Sequence, residues 1–127
     1  MIKNDKVKLG YQKIISMGNT TIISKDCRIV GNISGNCDIT VAGEVYGDVT
    51  TERSVITEEN SIIRGDIKST GAFIKGEVRG SIRVDGNLII GDTARVEGDI
   101  EYRSMSIEKG AFFSGKSSVI DEDSKKE

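Results

Sequence analysis

The chain has 127 residues, which suits one domain, and a formal net charge of −2, which excludes a strong global field towards nucleic acid. It contains no His, so the commonest general base and the commonest metal ligand are both missing. Hydrophobic residues at 36%, charged residues at 30% and aromatics at 5% describe a soluble protein whose core must come from Ile, Val and Leu.

Residues 1–19 read as a flexible N-terminal tail. Lys3, Lys6, Lys8 and Lys13 stand against Asp5, with Ile2, Val7, Leu9, Tyr11, Ile14 and Ile15 interleaved. No apolar run approaches the roughly 18 residues that span a bilayer. The opening "MIKNDKVKLGYQKII" lacks the continuous apolar stretch of a secretory signal, so the expected location is cytoplasmic. Positive and apolar residues together suit an anionic membrane surface, at about 1 kcal/mol per basic residue near it. A solubilising disordered tail is the alternative.

From residue 20 onward the pattern changes to period two. The odd positions from Cys27 to Val49 are all apolar or Gly, and the even ones between them are mostly polar, including Arg28, Asn32, Asp38, Glu44 and Asp48. The odd phase returns less cleanly through Val55, Ile63, Gly65 and Ile67. Even positions take over from Ile74 to Ile90, and the even phase resumes at Ala94, Val96, Gly98 and Ile100. Ile107, Ala111 and Phe113 are odd again. Period two means strand with one buried face. The two cysteines, Cys27 and Cys37, fit neither a metal nor a CxxC spacing and read as small buried hydrophobes in a reducing compartment. The "DEDSKKE" ending lies in a charged C-terminal tail, residues 120–127, expected to be disordered.

A short word recurs along residues 20–119. It reads "IVGNI" at 29–33, "VYGDV" at 45–49, "IRGDI" at 63–67, "VRGSI" at 78–82 and "VEGDI" at 96–100, with a degenerate "FSGKS" at 113–117. Ordinary hairpins do not explain alternation that runs through Gly without a turn signal. A coiled strand does. Val78, Val84, Ile90 and Val96 are six apart, and three six-residue sides make one turn. The expected fold is all-β: a single three-sided parallel β-helix of about six rungs, each about 4.8 Å above the last. Fifteen Gly and no Pro fit such stacked bends.

This repeat disposes of a tempting motif. Arg64-Gly65-Asp66 has the form of an adhesion tripeptide, but it is one variant of the structural word, not a projecting loop. Asp48 and Asp66 should stack as like charges at a solvated surface, where they repel. Arg79 and Glu97 should face each other and pair weakly. The "SGKSS" at 114–118 lacks the spacing of a phosphate-binding loop and reads as a degraded last rung. No catalytic, cofactor-binding or metal-binding residue is assigned, and the protein is not read as an enzyme.

The repeated words, with "ARVEGDIEYRSMSIEKGAFFSG" at 94–115, resemble the bactofilins, a family of small bacterial cytoskeletal proteins. The resemblance covers roughly residues 20–117. It implies a right-handed β-helix and nucleotide-independent, non-polar filaments built by end-to-end stacking. It implies no cofactor. The partners it implies are other copies of the chain and proteins recruited to the filament for cell shape, motility or cell-wall work. The family uses a phenylalanine near the C-terminal end for polymerisation, and Phe113 best matches it, with Ala111 and Phe112 beside it. Many bactofilins are similar in binding membrane through an N-terminal tail that often begins Met-Phe. Ile2 stands in place of that Phe, and Ile2, Lys3, Lys6, Lys8 and Leu9 are the corresponding residues for a peripheral position on the inner face of the cell membrane.

Physics points the same way, because a solenoid end without a polar cap is a template for another chain. Two rival readings remain. "IIGDTARVEGDI" at 89–100 resembles two hexads of the hexapeptide-repeat acyltransferases, but those enzymes rely on a His that this chain lacks. A non-polymerising adaptor is the other.

Overall fold

The period-two alternation dictates extended backbone with one inward face, and the recurring glycines keep each run short. The computed structural model describes residues 20–120, and every helix or strand assigned among them is a strand. The first rung comprises β1 (Thr20–Ile23), β2 (Arg28–Val30) and β3 (Ile33–Gly35). The second comprises β4 (Asp38–Val41), β5 (Glu44–Tyr46) and β6 (Val49–Thr51). The third comprises β7 (Ser54–Thr57), β8 (Ile62–Arg64) and β9 (Ile67–Ser69). The fourth runs through β10 (Gly71–Ile74) and β11 (Glu77–Arg79) into the first half of β12 (Ile82–Ile90). The rest of β12 opens the fifth rung, which continues through β13 (Arg95–Glu97) into β14 (Ile100–Ile107). The end of β14, β15 (Phe112–Ser114) and β16 (Ser117–Val119) complete the sixth.

Equivalent strands stack in parallel, making three walls. The first wall is β1, β4, β7, β10 and the ends of β12 and β14. The second is the six-stranded stack β2, β5, β8, β11, β13 and β15. The third is β3, β6, β9, the starts of β12 and β14, and β16. The described residues therefore form a three-sided parallel β-solenoid of six rungs, as the repeat predicts.

The register turns the sequence alternation into interior columns. Ile29, Val45, Ile63, Val78, Val96 and Phe113 stand one above another on the second wall. Ile39, Val55, Ala72 and Leu88 line the first. Val49, Ile67, Ile82 and Ile100 line the third. Ile39, Val45, Val49, Val55, Val78 and Val96 are completely enclosed, each contributing about 1.5–3 kcal/mol relative to an exposed side chain.

The Gly of each recurring word forms the corner between the second and third walls. From the second rung onward the chain there comes so close to the rung before it that no side chain fits. A Cβ on Gly47 would stand 2.1 Å from the Gly31 carbonyl oxygen, and one on Gly98 2.2 Å from that of Gly80. Gly98 also has φ +144°, a region that L side chains rarely adopt.

The residue after that Gly does something the sequence reading missed. The Asp48 N–H donates to Asn32 Oδ1 at 2.9 Å, the Asp66 N–H to Asp48 Oδ1 at 2.9 Å, and the Ser81 N–H to Asp66 Oδ1 at 3.0 Å. The same bond recurs from the Lys116 N–H to Asp99 Oδ1 at 3.2 Å. The expectation that Asp48 and Asp66 merely repel is therefore corrected. Each carboxylate accepts the backbone N–H of the next rung, satisfying a donor at the bend.

Polar side chains also point inward near other corners. Thr57 Oγ1 accepts the N–H groups of Lys75 and Gly76, at 3.0 and 3.1 Å. Ser61 Oγ donates to the Glu58 carbonyl at 2.7 Å, and Ser69 Oγ to the Gly71 carbonyl at 2.8 Å. Buried hydroxyls are thus satisfied by backbone. Arg79 does reach Glu97, at 3.8 Å, but lies closer to Glu77 on its own strand, at 2.7 Å. Both pairs are partly exposed and contribute little.

Two substitutions test the corner. Gly98→Ala combines positive-φ strain of about 1–3 kcal/mol with overpacking of about 1–3 kcal/mol. A Cβ on Gly35 meets only Cys37 Sγ at 3.5 Å, so Gly35→Ala should be nearly neutral. Denaturation midpoints at one fixed protein concentration should separate the two widely; equal midpoints would refute the close-approach account. Asp66→Ala should cost about 1 kcal/mol in the same assay, the worth of a lost cap-like bond, while Asp66→Asn keeps the acceptor and most of the stability.

Candidate functional site: the open ends of the coil

A coil of parallel rungs satisfies its backbone only between neighbours, so its first and last rungs are chemically unlike the rest. Among the described residues, β1, β2 and β3 have a rung on one side only, and so do β15, β16 and the end of β14. The interior columns run out into these ends. Ile29 and Ile33 on the first rung are half-buried, although the residues stacked above them are enclosed. A Cβ on Gly31 would meet nothing within 4 Å, unlike every later Gly of that corner.

Cys27 was expected to be buried, and the structure corrects this. It is exposed, and its column, continued by Gly43, has no rung beneath it among the described residues. Cys37 is half-buried, with Sγ 3.3 Å from Thr21 Oγ1, and both thiols are free.

At the other end, Phe113 caps the column of Val45, Ile63, Val78 and Val96, and stays half-buried. Ala111 sits beside it, also half-buried. Ile107 and Val119 are 47% and 61% exposed. Ile120 is tucked in, and its N–H donates to the Tyr102 carbonyl at 2.6 Å. Phe112, adjacent in sequence, does not join this group. It pairs with Arg95 on the outer side of the second wall, 42% exposed, with the Arg95 guanidinium carbon 4.4 Å from its ring centroid. Alternation separates two consecutive phenylalanines onto opposite faces. Phe113 and Ala111 therefore share the open end, while Phe112 belongs to the wall.

Ile2, Lys3, Lys6, Lys8 and Leu9 lie outside the described residues. Arg64-Gly65-Asp66 lies within the coil. Gly65 is part of the Gly corner, Asp66 accepts the Ser81 N–H, and the Arg64 guanidinium carbon is 5.5 Å from the Tyr46 ring centroid. All three residues are engaged with neighbouring rungs. Gly115 of "SGKSS" likewise takes the corner position above Gly98, followed by β16. Among the described residues, no group of three or more His, Cys, Asp or Glu is arranged to hold a metal ion.

Comparison with known proteins agrees with this geometry. A family model described as bactofilin, polymer-forming cytoskeletal, matches residues 21–118. No curated protein matches the chain. Among solved structures, the chain is similar to the cytoskeletal bactofilin BacA, determined by solid-state NMR. The two share 27% identity over 80% of this chain and 97% of that one, with a TM-score of 0.69.

Proposed function

The chain belongs to the bactofilin family of polymer-forming cytoskeletal proteins, and from that premise we propose that it is a bacterial scaffold whose copies stack end to end into nucleotide-independent filaments. One observation carries this reading: at each end of the described coil, all three walls stop with an unpaired strand edge around an unfinished apolar interior. A second copy offers both things the end lacks. Its strand edges can take up the free N–H and C=O groups, and its columns can cover Phe113, Ile107 and Val119. Apolar area removed from water contributes about 25 cal/mol per Å². Neither gain draws on nucleotide hydrolysis.

In this reading the protein has a structural, non-catalytic role. The filament lies in the cytoplasm at the inner membrane face, held there by the positive and apolar residues of segment 1–19. Other proteins are recruited along it for cell shape, motility or cell-wall work. Support for the membrane position is the composition of that segment, with Ile2, Lys3, Lys6, Lys8 and Leu9 close together.

Ultracentrifugation separates this from a non-polymerising adaptor. Wild-type protein without nucleotide should pellet, and Phe113→Arg should stay in the supernatant with an unchanged β-type circular-dichroism spectrum. Identical pelleting of the two would remove Phe113 from the assembly contact. For the membrane, vesicles containing anionic lipid should float the wild type. The triple change Lys3→Glu, Lys6→Glu and Lys8→Glu removes three attractive charges of about 1 kcal/mol each, so binding should fall at least a hundredfold. Equal flotation would end the tail's proposed role.

A further inference from the structure

The three walls differ on their outer sides. The second wall displays Arg28, Glu44, Arg64, Glu77, Arg79 and Glu97, with ion pairs such as Arg28–Glu44 at 3.0 Å, and Val30, Tyr46, Ile62 and Phe112 are set between these charges. The third displays Lys68, Arg83 and Glu101, with Arg83 bound to Glu101 at 2.8 Å. The first wall is unlike both. Its register aligns Ile22, Thr40, Ile56, Phe73 and Ile89 in one outward ridge. Ile22 is 58% exposed, and Ile56, Phe73 and Ile89 are each partly exposed. Beside the ridge, two positions earlier on the same strands, runs a row that is small at Ser54, Gly71 and Asn87 and charged at Asp38, which pairs with Arg53 at 3.3 Å. Ridge and row together bound a trough of about 510 Å³.

We propose that this first wall is a lateral pairing surface, and that its partner is the first wall of a second copy of this chain in a neighbouring filament. The shape argues for a second copy. A ridge lying beside a trough is self-complementary: a copy turned about a two-fold axis sets its own ridge into the partner's trough, an isologous fit. The area argues for a filament rather than a free protomer. The ridge crosses five rungs of about 4.8 Å and is about one strand wide, so it offers on the order of 200–300 Å². A stable interface needs about 800 Å² per partner. One protomer is well below that threshold, but a filament repeats the same strip, and its contacts add along the axis. Only a partner repeating at the same spacing collects that sum, and a second filament does. The neighbouring walls, with their mixed charges, offer no comparable apolar strip among the described residues.

This inference rests on the end-stacking reading, so the test must separate the two. Full-length wild type, Phe73→Asp and Phe73→Thr are compared by electron microscopy and by low-speed and high-speed sedimentation. Thr keeps strand propensity while removing the ring, so it guards against an effect on folding. Lys68→Glu, on the third wall, is the control for a charge change elsewhere. The wild type and Lys68→Glu should form paired or bundled filaments that pellet at low speed. Both Phe73 variants should form single filaments of ordinary length that lose low-speed pelleting and keep high-speed pelleting. Bundles of unchanged width in both Phe73 variants would overturn the pairing face and leave end stacking standing. Wild-type filaments that stay single would also overturn it, leaving the trough to a partner of other chemistry. Absence of any wild-type filament would overturn end stacking, and the pairing with it.

Discussion

The spacing between rungs at the Gly corner is the constraint on which the rest depends. Parallel strands want their backbones about 4.8 Å apart all the way round, bends included. A bend tips one Cα towards the carbonyl of the rung before, and only a hydrogen fits between them: the Cβ of Gly47, Gly65 or Gly80 would lie 2.1 Å from that oxygen. With Gly there, the ladder continues unbroken around the corner. The Gly47 N–H reaches the Arg64 carbonyl at 3.0 Å, and the Val49 N–H reaches the Asp66 carbonyl at 2.8 Å. The residue between them has its N–H taken by the Asn or Asp side chain of the preceding rung. One short word therefore supplies a bend, a close approach and a hydrogen-bond acceptor. The aliphatic residues flanking it face inward because the corner fixes the rotation of both adjoining strands.

Once that corner is fixed, length variation has to go elsewhere, and this explains much of what the sequence obscured. The link from the first wall to the second is short from Val41 to Glu44 and from Ile74 to Glu77. It is longer from Ile23 to Arg28, Thr57 to Ile62 and Ile90 to Arg95. The longer links close as turns, with the Ser61 N–H bonded to the Glu58 carbonyl at 3.1 Å and the Ala94 N–H to Gly91 at 3.1 Å. These insertions preserve the parity of the alternation. The link from the third wall to the first does not. It is one residue shorter from Ser69 to Gly71, and again from Tyr102 to Ser104, than from Thr51 to Ser54. Each shortening moves the inward positions from odd to even or back. The parity changes are thus single-residue deletions at one corner.

The fold was legible because period two, recurring Gly and a repeat near 17 residues each admit few explanations, and only a coil satisfies all of them. The ragged stretch from 53 to 69 was not legible as regular, because Thr57, Ser61 and Ser69 are polar yet inward. A binary reading of polarity cannot distinguish a hydroxyl facing water from one bonded to a bending backbone. The Asn and Asp acceptors were hidden by the same habit, since a carboxylate on a wall reads as solvated charge. Their signal was present in position: Asn32, Asp48, Asp66 and Asp99 each follow the corner Gly. At the end of the coil, Phe113 was assigned to the last rung correctly, but Phe112 needed the register to be placed on the outer wall.

The same economy that makes the fold readable gives the described coil no internal stop. In a barrel the last strand pairs with the first, whereas each rung of a coil pairs with a copy of itself displaced along the axis. Every rung that covers one edge exposes another. Termination must therefore come from residues that break the pattern, and the last described rung keeps most of it. Ser117 replaces the inward aliphatic of Ile100, which weakens the column, but Gly115 retains the corner and Phe113 the apolar stack. Side walls face the opposite demand, because a surface repeated along a polymer multiplies even a weak attraction. Mixed charge on the second and third walls limits that multiplication there. The ridge of the first wall, Ile22, Thr40, Ile56, Phe73 and Ile89, carries no charge of its own, and the nearest cation to its aromatic ring is Lys75, whose ammonium lies 5.5 Å from the Phe73 ring centroid. In the proposed filament, growth along the axis and association across it would fall to different surfaces, so either could be altered without remaking the interior that both share.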